Sequence, residues 1–163
     1  GILTERLHRW VGHASEVSAR TDTVIEERPA RDGDGAVPVD LPDVVTVDCA
    51  FENGATGSLD FSNVAAHGPT SQVELYGSEG TLVYDLDEDT IYGGAPDDDD
   101  LSEIPIPEEE AYEWTVEADF VDAIRNGGEP RTTFREGVKY MEFSEAVARS
   151  AETGGTIELP LRS

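Results

Sequence analysis

Residues 44–61 read as a β-hairpin. Val45, Val47, Cys49 and Phe51 alternate with Thr46 and Asp48 along the first run, and Leu59 and Phe61 alternate with Ser58 and Asp60 along the second. A period of two sends alternate side chains to opposite faces of a pleated strand. Glu52, Asn53 and Gly54 join the runs, and the Asn-Gly pair is expected to supply the positive φ angles of a tight turn. One face of this sheet therefore meets a core while the other carries polar groups.

The other segments supply further elements. Residues 2–11 carry Leu3, Leu7, Trp10 and Val11 at helical spacing, which predicts a short helix ending near Gly12. Residues 16–22 alternate, with Val17, Ala19 and Thr21 on one side, and predict a half-buried strand; the pattern allows it to continue through Val24 and Ile25. Residues 28–42 are rich in Pro, Gly and Asp and have no period, which predicts a surface loop that is disordered or contacts a partner. A second hairpin is expected from residues 72–76 and 81–84, a short strand at 90–92, and a solvated loop at the aspartate run 97–100. Pro107 followed by three glutamates is a helix start, because proline suits the first turn and carboxylates favour the positive end of the dipole. Tyr112, Val116, Phe120 and Ile124 form its apolar stripe, and Gly127 and Gly128 end it. Thr133 with Glu136 is a capping box for a last helix whose expected inner face is Phe134, Val138, Met141 and Ala148. Gly154 and Gly155 stop that helix, and Ile157, Leu159 and Leu161 alternate in a closing strand. The expected fold is α+β: an open-faced, largely antiparallel sheet with helices packed on one face, in one domain spanning residues 1–163.

Charge bounds the partners. Asp and Glu number 36 against 11 Lys and Arg, for a net charge of −25, and Lys139 is the single lysine. The apolar residues fall in periodic segments, so this charge belongs to a folded chain rather than an acidic tail. Like-charge crowding destabilises a compact state in dilute salt, whereas molar salt contracts the Debye length to about 3 Å. A salt-accumulating cytosol, of the haloarchaeal type, is the expected setting. The same charge repels phosphate backbones and anionic lipid, which argues against nucleic acid and membrane partners. No apolar run approaches the ~20 residues of a membrane span, and no secretory pattern opens the chain, so a cytoplasmic location is expected. Cys49 is the one cysteine, excluding an internal disulfide and a multi-cysteine metal site.

Three histidines carry the chemistry that can be read locally, since imidazole trades a proton near neutral pH. His8 and Thr4 are four residues apart, on one face of the first helix, where a hydroxyl can hydrogen-bond the imidazole or a shared ligand. His13 follows the helix and His67 sits in the connection at residues 65–70; for both, a surface histidine without function is the default. Trp10 and Trp114 read as core or interface anchors. The aspartate run reads as solvated rather than as a metal site. Gly77 and Gly80 fall within a hairpin with no helix after them, so they make no dinucleotide fingerprint.

Taken together, "VVTVDCAFENGATGSLDFSNVAAHG", "VELYGSEGTLVYD" and the stretch from Phe120 through "GVKYMEFSEAVARSAETGGTIEL" resemble, in order and spacing, the C-terminal domain of the glucose-fructose oxidoreductase, inositol dehydrogenase and MocA (Gfo/Idh/MocA) family. "GILTERLH" resembles the family helix that carries the active-site histidine, preceded four residues earlier by aspartate or threonine. The resemblance implies His8 as catalytic base with Thr4 orienting it; His67 is kept beside them as a candidate substrate contact. It implies an NAD(P)-dependent oxidoreductase acting on a sugar, polyol or related hydroxyl-bearing small molecule. In that family an N-terminal Rossmann domain binds NAD or NADP, and the C-terminal domain supplies substrate pocket and oligomer interface. Here the Rossmann half is absent, and with it the family's glycine-rich phosphate loop and catalytic lysine, so this chain by itself is expected to bind no dinucleotide and to be inactive. The pattern departs from the family after His8, where Val11 replaces an aspartate and Trp10 arrives early: either the helix is shortened or residues are absent. A non-catalytic module that self-associates through the open sheet face is the alternative reading.

Overall fold

The computed structural model describes residues 2–31, 33–68, 71–111, 114–130 and 132–162. Its contacts divide the chain into two compact units, one of Gly1–Ala65 with Ala118–Ser163 and one of Ala66–Glu117.

The first unit is built on the hairpin at residues 44–62. Strand β1 (Ala14–Asp22) pairs antiparallel with β4 (Val44–Phe51), which pairs with β5 (Thr56–Ser62); the short β10 (Ile157–Glu158) lies on the other edge of β1, giving the order β10-β1-β4-β5. Register places Val17 opposite Cys49, Ala19 opposite Val47 and Val47 opposite Leu59, so the apolar sets coincide on one face. Val17, Ala19, Val47, Cys49 and Phe51 are buried there with Phe143 and Ala146 of helix α3 (Phe134–Thr153). The opposite face carries Ser18 against Asp48 against Ser58 and Arg20 against Thr46 against Asp60, and Ser58 donates to Asp48 at 2.6 Å. At the turn only Gly54 has a positive φ, of 88°. Asn53 keeps ordinary geometry and serves as a tie: its Nδ2 donates to the Val11 carbonyl at 2.6 Å and its Oδ1 accepts from Ala55 N–H. This is the three-residue loop with glycine in the left-handed position, not the two-residue Asn-Gly turn.

Strand β1 stops at Asp22, and Val24 and Ile25 are exposed. Residues 28–42 form more than a loop: β2 (Glu27–Pro29) and β3 (Ala36–Pro38) make a hairpin. Buried Asp43 anchors it, accepting from Ile25 N–H at 2.9 Å and pairing with the Arg28 guanidinium.

Helix α3 is capped as its sequence demands. The Thr133 hydroxyl accepts from Glu136 N–H, and Gly154, at φ 72°, donates its N–H to Ser150 O. Its inner face differs from the expected one. Tyr140, Phe143, Ala146 and Ser150 are buried, whereas Phe134 is 98% exposed and Val138, Met141 and Ala148 face solvent. The small residues decide this: Ala146 lets α3 approach β1, and the Ser150 hydroxyl accepts from Ala19 N–H at 2.8 Å beyond the end of β10 while donating to Gly155 O. An unpaired strand N–H is thereby satisfied inside the protein. Beyond β10, Leu159 and Leu161 pack on the same core as partly buried residues.

In the second unit, β6 (Gln72–Gly77), β7 (Gly80–Asp85), β8 (Thr90–Gly94) and β9 (Ser102–Glu103) form an antiparallel meander. The aspartates at 97–100 are exposed, and Asp98 accepts from Ala95 N–H in its turn. Pro107 starts only a turn, with Ala111 N–H donating to its carbonyl, and helix α2 (Val116–Asn126), most of which belongs to the first unit, begins later. Val116, Phe120 and Ile124 of its stripe are exposed; Tyr112 lies outside the described residues. Among the described residues no helix is long and apolar enough to cross a membrane.

Candidate functional site

Helix α1 (Ile2–Trp10) buries Thr4 and His8, at 8% and 6% exposure, one turn apart on the same face. Leu7 and Val11 pack beside them on the core, while Leu3 and Trp10 of the expected stripe are exposed. The helix closes with Gly12 N–H donating to His8 O, and Gly12 takes a φ of 112° that side chains disfavour. That reversal returns His13 to His8: the two rings stand edge to face, 5.2 Å apart between centroids and at 89°. From α3, Tyr140 and Phe143 approach the same imidazole at 5.8 and 5.6 Å.

His8 is thus enclosed by three rings, and neither Nδ1 nor Nε2 has a hydrogen-bond partner; His13 Nδ1 is likewise buried without one. On its outer side, His13 Nε2 lies 2.6 Å from Lys139 Nζ and 3.7 Å from the Glu136 carboxylate, which is itself 3.6 Å from Lys139. A second network clamps α1 to the approach to α3: Arg9 donates to Glu5 at 2.6 Å and to Thr132 at 2.5 Å, and Thr132 donates to Glu5.

Burial pushes the His8 pKa below the ordinary 6.5; His13 and Lys139 lower it further, while Glu136 and Glu52 oppose them. The desolvated ring is held in its neutral, proton-accepting form. Burial raises the Tyr140 phenol, with Glu5 acting in the same direction and Arg9 against it.

Thr4 and His8 are therefore brought together as their spacing implies. His67 belongs to the other compact unit, exposed in a turn with φ of 65°. Trp10 and Trp114, at 46% and 74% exposure, do not anchor a core. The sequence does not reveal the ring of groups around His8: His13, Glu136 and Lys139 converge from positions more than a hundred residues apart, and the one available signal was that the chain has a single lysine. Among the described residues no group of three His, Cys, Asp or Glu side chains could hold a metal ion. The Gly77–Gly80 turn leads into strand β7 rather than a helix N-terminus, so these glycines do not fit a dinucleotide phosphate.

A model of the GFO/IDH/MocA C-terminal domain matches residues 6–83, a range that contains His8, His13 and His67 and leaves out Thr4. D-apiose dehydrogenase of Paraburkholderia graminis is 29% identical over 72% of this chain and 35% of its own length. Levoglucosan dehydrogenase of Pseudarthrobacter phenanthrenivorans is also 29% identical, over 92% of this chain and 47% of its own. The solved structure of levoglucosan dehydrogenase in complex with NADH and L-sorbose aligns with a TM-score of 0.77 at 26% identity, covering 96% of this chain and 48% of that one. The chain has the fold of the Gfo/Idh/MocA C-terminal domain. These matches support membership of that family, and the chain spans about half the length, or less, of the relatives it matches. Within this Gfo/Idh/MocA fold, the histidine cluster lies where α1 meets α3.

Proposed function

We propose that this chain is the C-terminal part of a haloarchaeal-type, cytoplasmic NAD- or NADP-dependent dehydrogenase acting on a sugar or polyol, and that His8 is its base with Thr4 beside it. The observation that carries the reading is the pair itself: a buried imidazole with both nitrogens unpartnered, one helical turn from a buried threonine. A buried polar group without a partner is costly to keep and calls for an explanation, and catalysis is one. The likeness to a dehydrogenase solved with NADH supplies the reaction class.

A nicotinamide cofactor, bound by a Rossmann half of the full-length protein, would supply the hydride acceptor. The contribution of this chain is the proton: a neutral His8 nitrogen takes it from the substrate hydroxyl, and the Thr4 hydroxyl, on the same face, orients the ring or the substrate. His67 is a substrate contact in the same reading. Assembly through the polar face of β1, β4 and β5 completes it, and light scattering of the purified protein reads the oligomer directly.

Replacing His8 by alanine in the full-length protein is expected to lower kcat/KM for the oxidised sugar by about 10²–10⁴-fold, with circular dichroism unchanged. Undiminished turnover by a folded H8A enzyme overturns the assignment. The enclosure of His8 by Tyr140, Phe143 and His13 favours a second reading, in which the ring is a packing residue of a non-catalytic self-associating module. That reading requires H8A to lose stability without affecting any dehydrogenase activity.

A further inference from the structure

We propose that Lys139 and His13 are positioning residues for His8, a buttress that fixes the orientation of its imidazole and disfavours a positive charge on it. The proposal deepens the reading of His8 as a base and rests on that reading for its effect on activity, though not for its effect on the ring.

The contact between Lys139 and His13 carries the argument. Lysine ammonium has three donors and no acceptor, so at 2.6 Å the His13 Nε2 must be the acceptor. The proton of a neutral His13 then sits on Nδ1, the nitrogen that is buried without a partner. Lys139 thus selects the tautomer of a neutral His13. The His13 ring in turn stands edge-on against His8, while Tyr140 and Phe143 close the other sides. A proton arriving on His8 meets the ammonium of Lys139 across one imidazole.

The acidic groups act the other way. Glu136 on α3 pairs with Lys139 and sets its carboxylate 3.7 Å from His13 Nε2, and Glu52 in the turn between β4 and β5 also acts on His8. Tyr140 on α3 is in turn faced by Glu5 and Arg9 of α1. Lys139 and Glu136 thus set His8 in opposite senses from successive turns of one helix. The single lysine of the chain occupies this position.

The experiment is a histidine-labelled NMR titration of the full-length protein, reading the His8 ring carbon proton in wild type, K139M, K139R and E136Q, together with the pH profile of kcat/KM. K139M is expected to move the His8 titration to higher pH, K139R to restore the wild-type position, and E136Q to move it to lower pH. An unchanged His8 titration in K139M, or shifts of the same sign in K139M and E136Q, overturns the proposal. E136Q alone decides its half if K139M fails to fold. The acid limb of the activity profile is expected to follow the NMR shift. An NMR shift with an unmoved acid limb leaves the buttress standing and removes His8 from the role of base.

Discussion

At the scale of single residues, His8 sets a cost that a neutral packing residue would not. Its nitrogens are enclosed without partners, and an unsatisfied buried polar group costs on the order of 1–3 kcal/mol. Because its folded pKa lies below 6.5, the unfolded chain binds more protons than the folded one as pH falls past that value. The favourable state is therefore fully present above pH 6.5, and the stability it represents is lost on acidification toward the folded pKa. Replacing His8 by phenylalanine removes this titration. Urea midpoints measured at constant molar KCl are expected to fall from pH 7.5 to pH 5 more steeply for wild type than for H8F; parallel falls would show that the ring does not titrate in a desolvated site. Cys49 shows the same physics with the opposite outcome, since burial pushes its thiol up to about 11 and leaves it an inert core side chain.

At the scale of elements, the β2–β3 hairpin shows how one buried side chain holds a segment whose sequence reads as loop. Every residue of those two strands is exposed, so little apolar burial stabilises them. Asp43 fixes their base through Ile25 N–H and Arg28. Replacing Asp43 by alanine is expected to release the hairpin locally: trypsin cleavage after Arg31 accelerates at least several-fold, while amides of β1 and β4 keep their exchange protection. Unaltered cleavage would mean that the strands hold themselves. The Asp43 tie spans fifteen positions and leaves no periodic trace, which is why alternation could not disclose it. Where the signal is local, the fold was legible: period two in β4 and β5, Gly54 at their turn, Thr133 and Gly154 at the ends of α3. Where two apolar stripes compete on one helix, period cannot choose. Phe134, Val138 and Met141 are the more hydrophobic set on α3, yet contact with β1 goes to the face with Ala146 and Ser150, where backbones can approach. Thr4 and His8 were legible as a pair because one helical turn joins them. Their surroundings were not, because His13 meets Lys139 only after β1 and α3 have packed.

At the scale of the whole molecule, the acidic surplus is distributed so that few carboxylates are locally neutralised. Arg9, Arg28, Lys139 and Arg149 each already stand against an acid, at Glu5, Asp43, Glu136 and Glu145, and most of the other 32 of the 36 acidic residues have no basic counterpart to meet. The solvent-exposed pairs among these contribute about 0–1 kcal/mol each, too little to offset general repulsion at a net charge of −25. The repulsion is long-ranged in dilute salt, with a Debye length of about 10 Å at 0.1 M, and short-ranged at about 3 Å in 1 M salt. Stability is therefore expected to rise steeply with KCl up to about 1 M, where screening is nearly complete, and sucrose of matched osmolality is expected to reproduce little of the gain. A variant with Asp97, Asp99, Asp100, Glu108 and Glu109 changed to their amides keeps the shape of this exposed stretch and removes five negative charges. Its thermal midpoint in 0.1 M KCl should exceed that of wild type, and the two curves should converge as salt is added. If both proteins gain equally from KCl at every concentration, salt acts through exclusion from the apolar surface rather than through these charges, and the acidity has another cause.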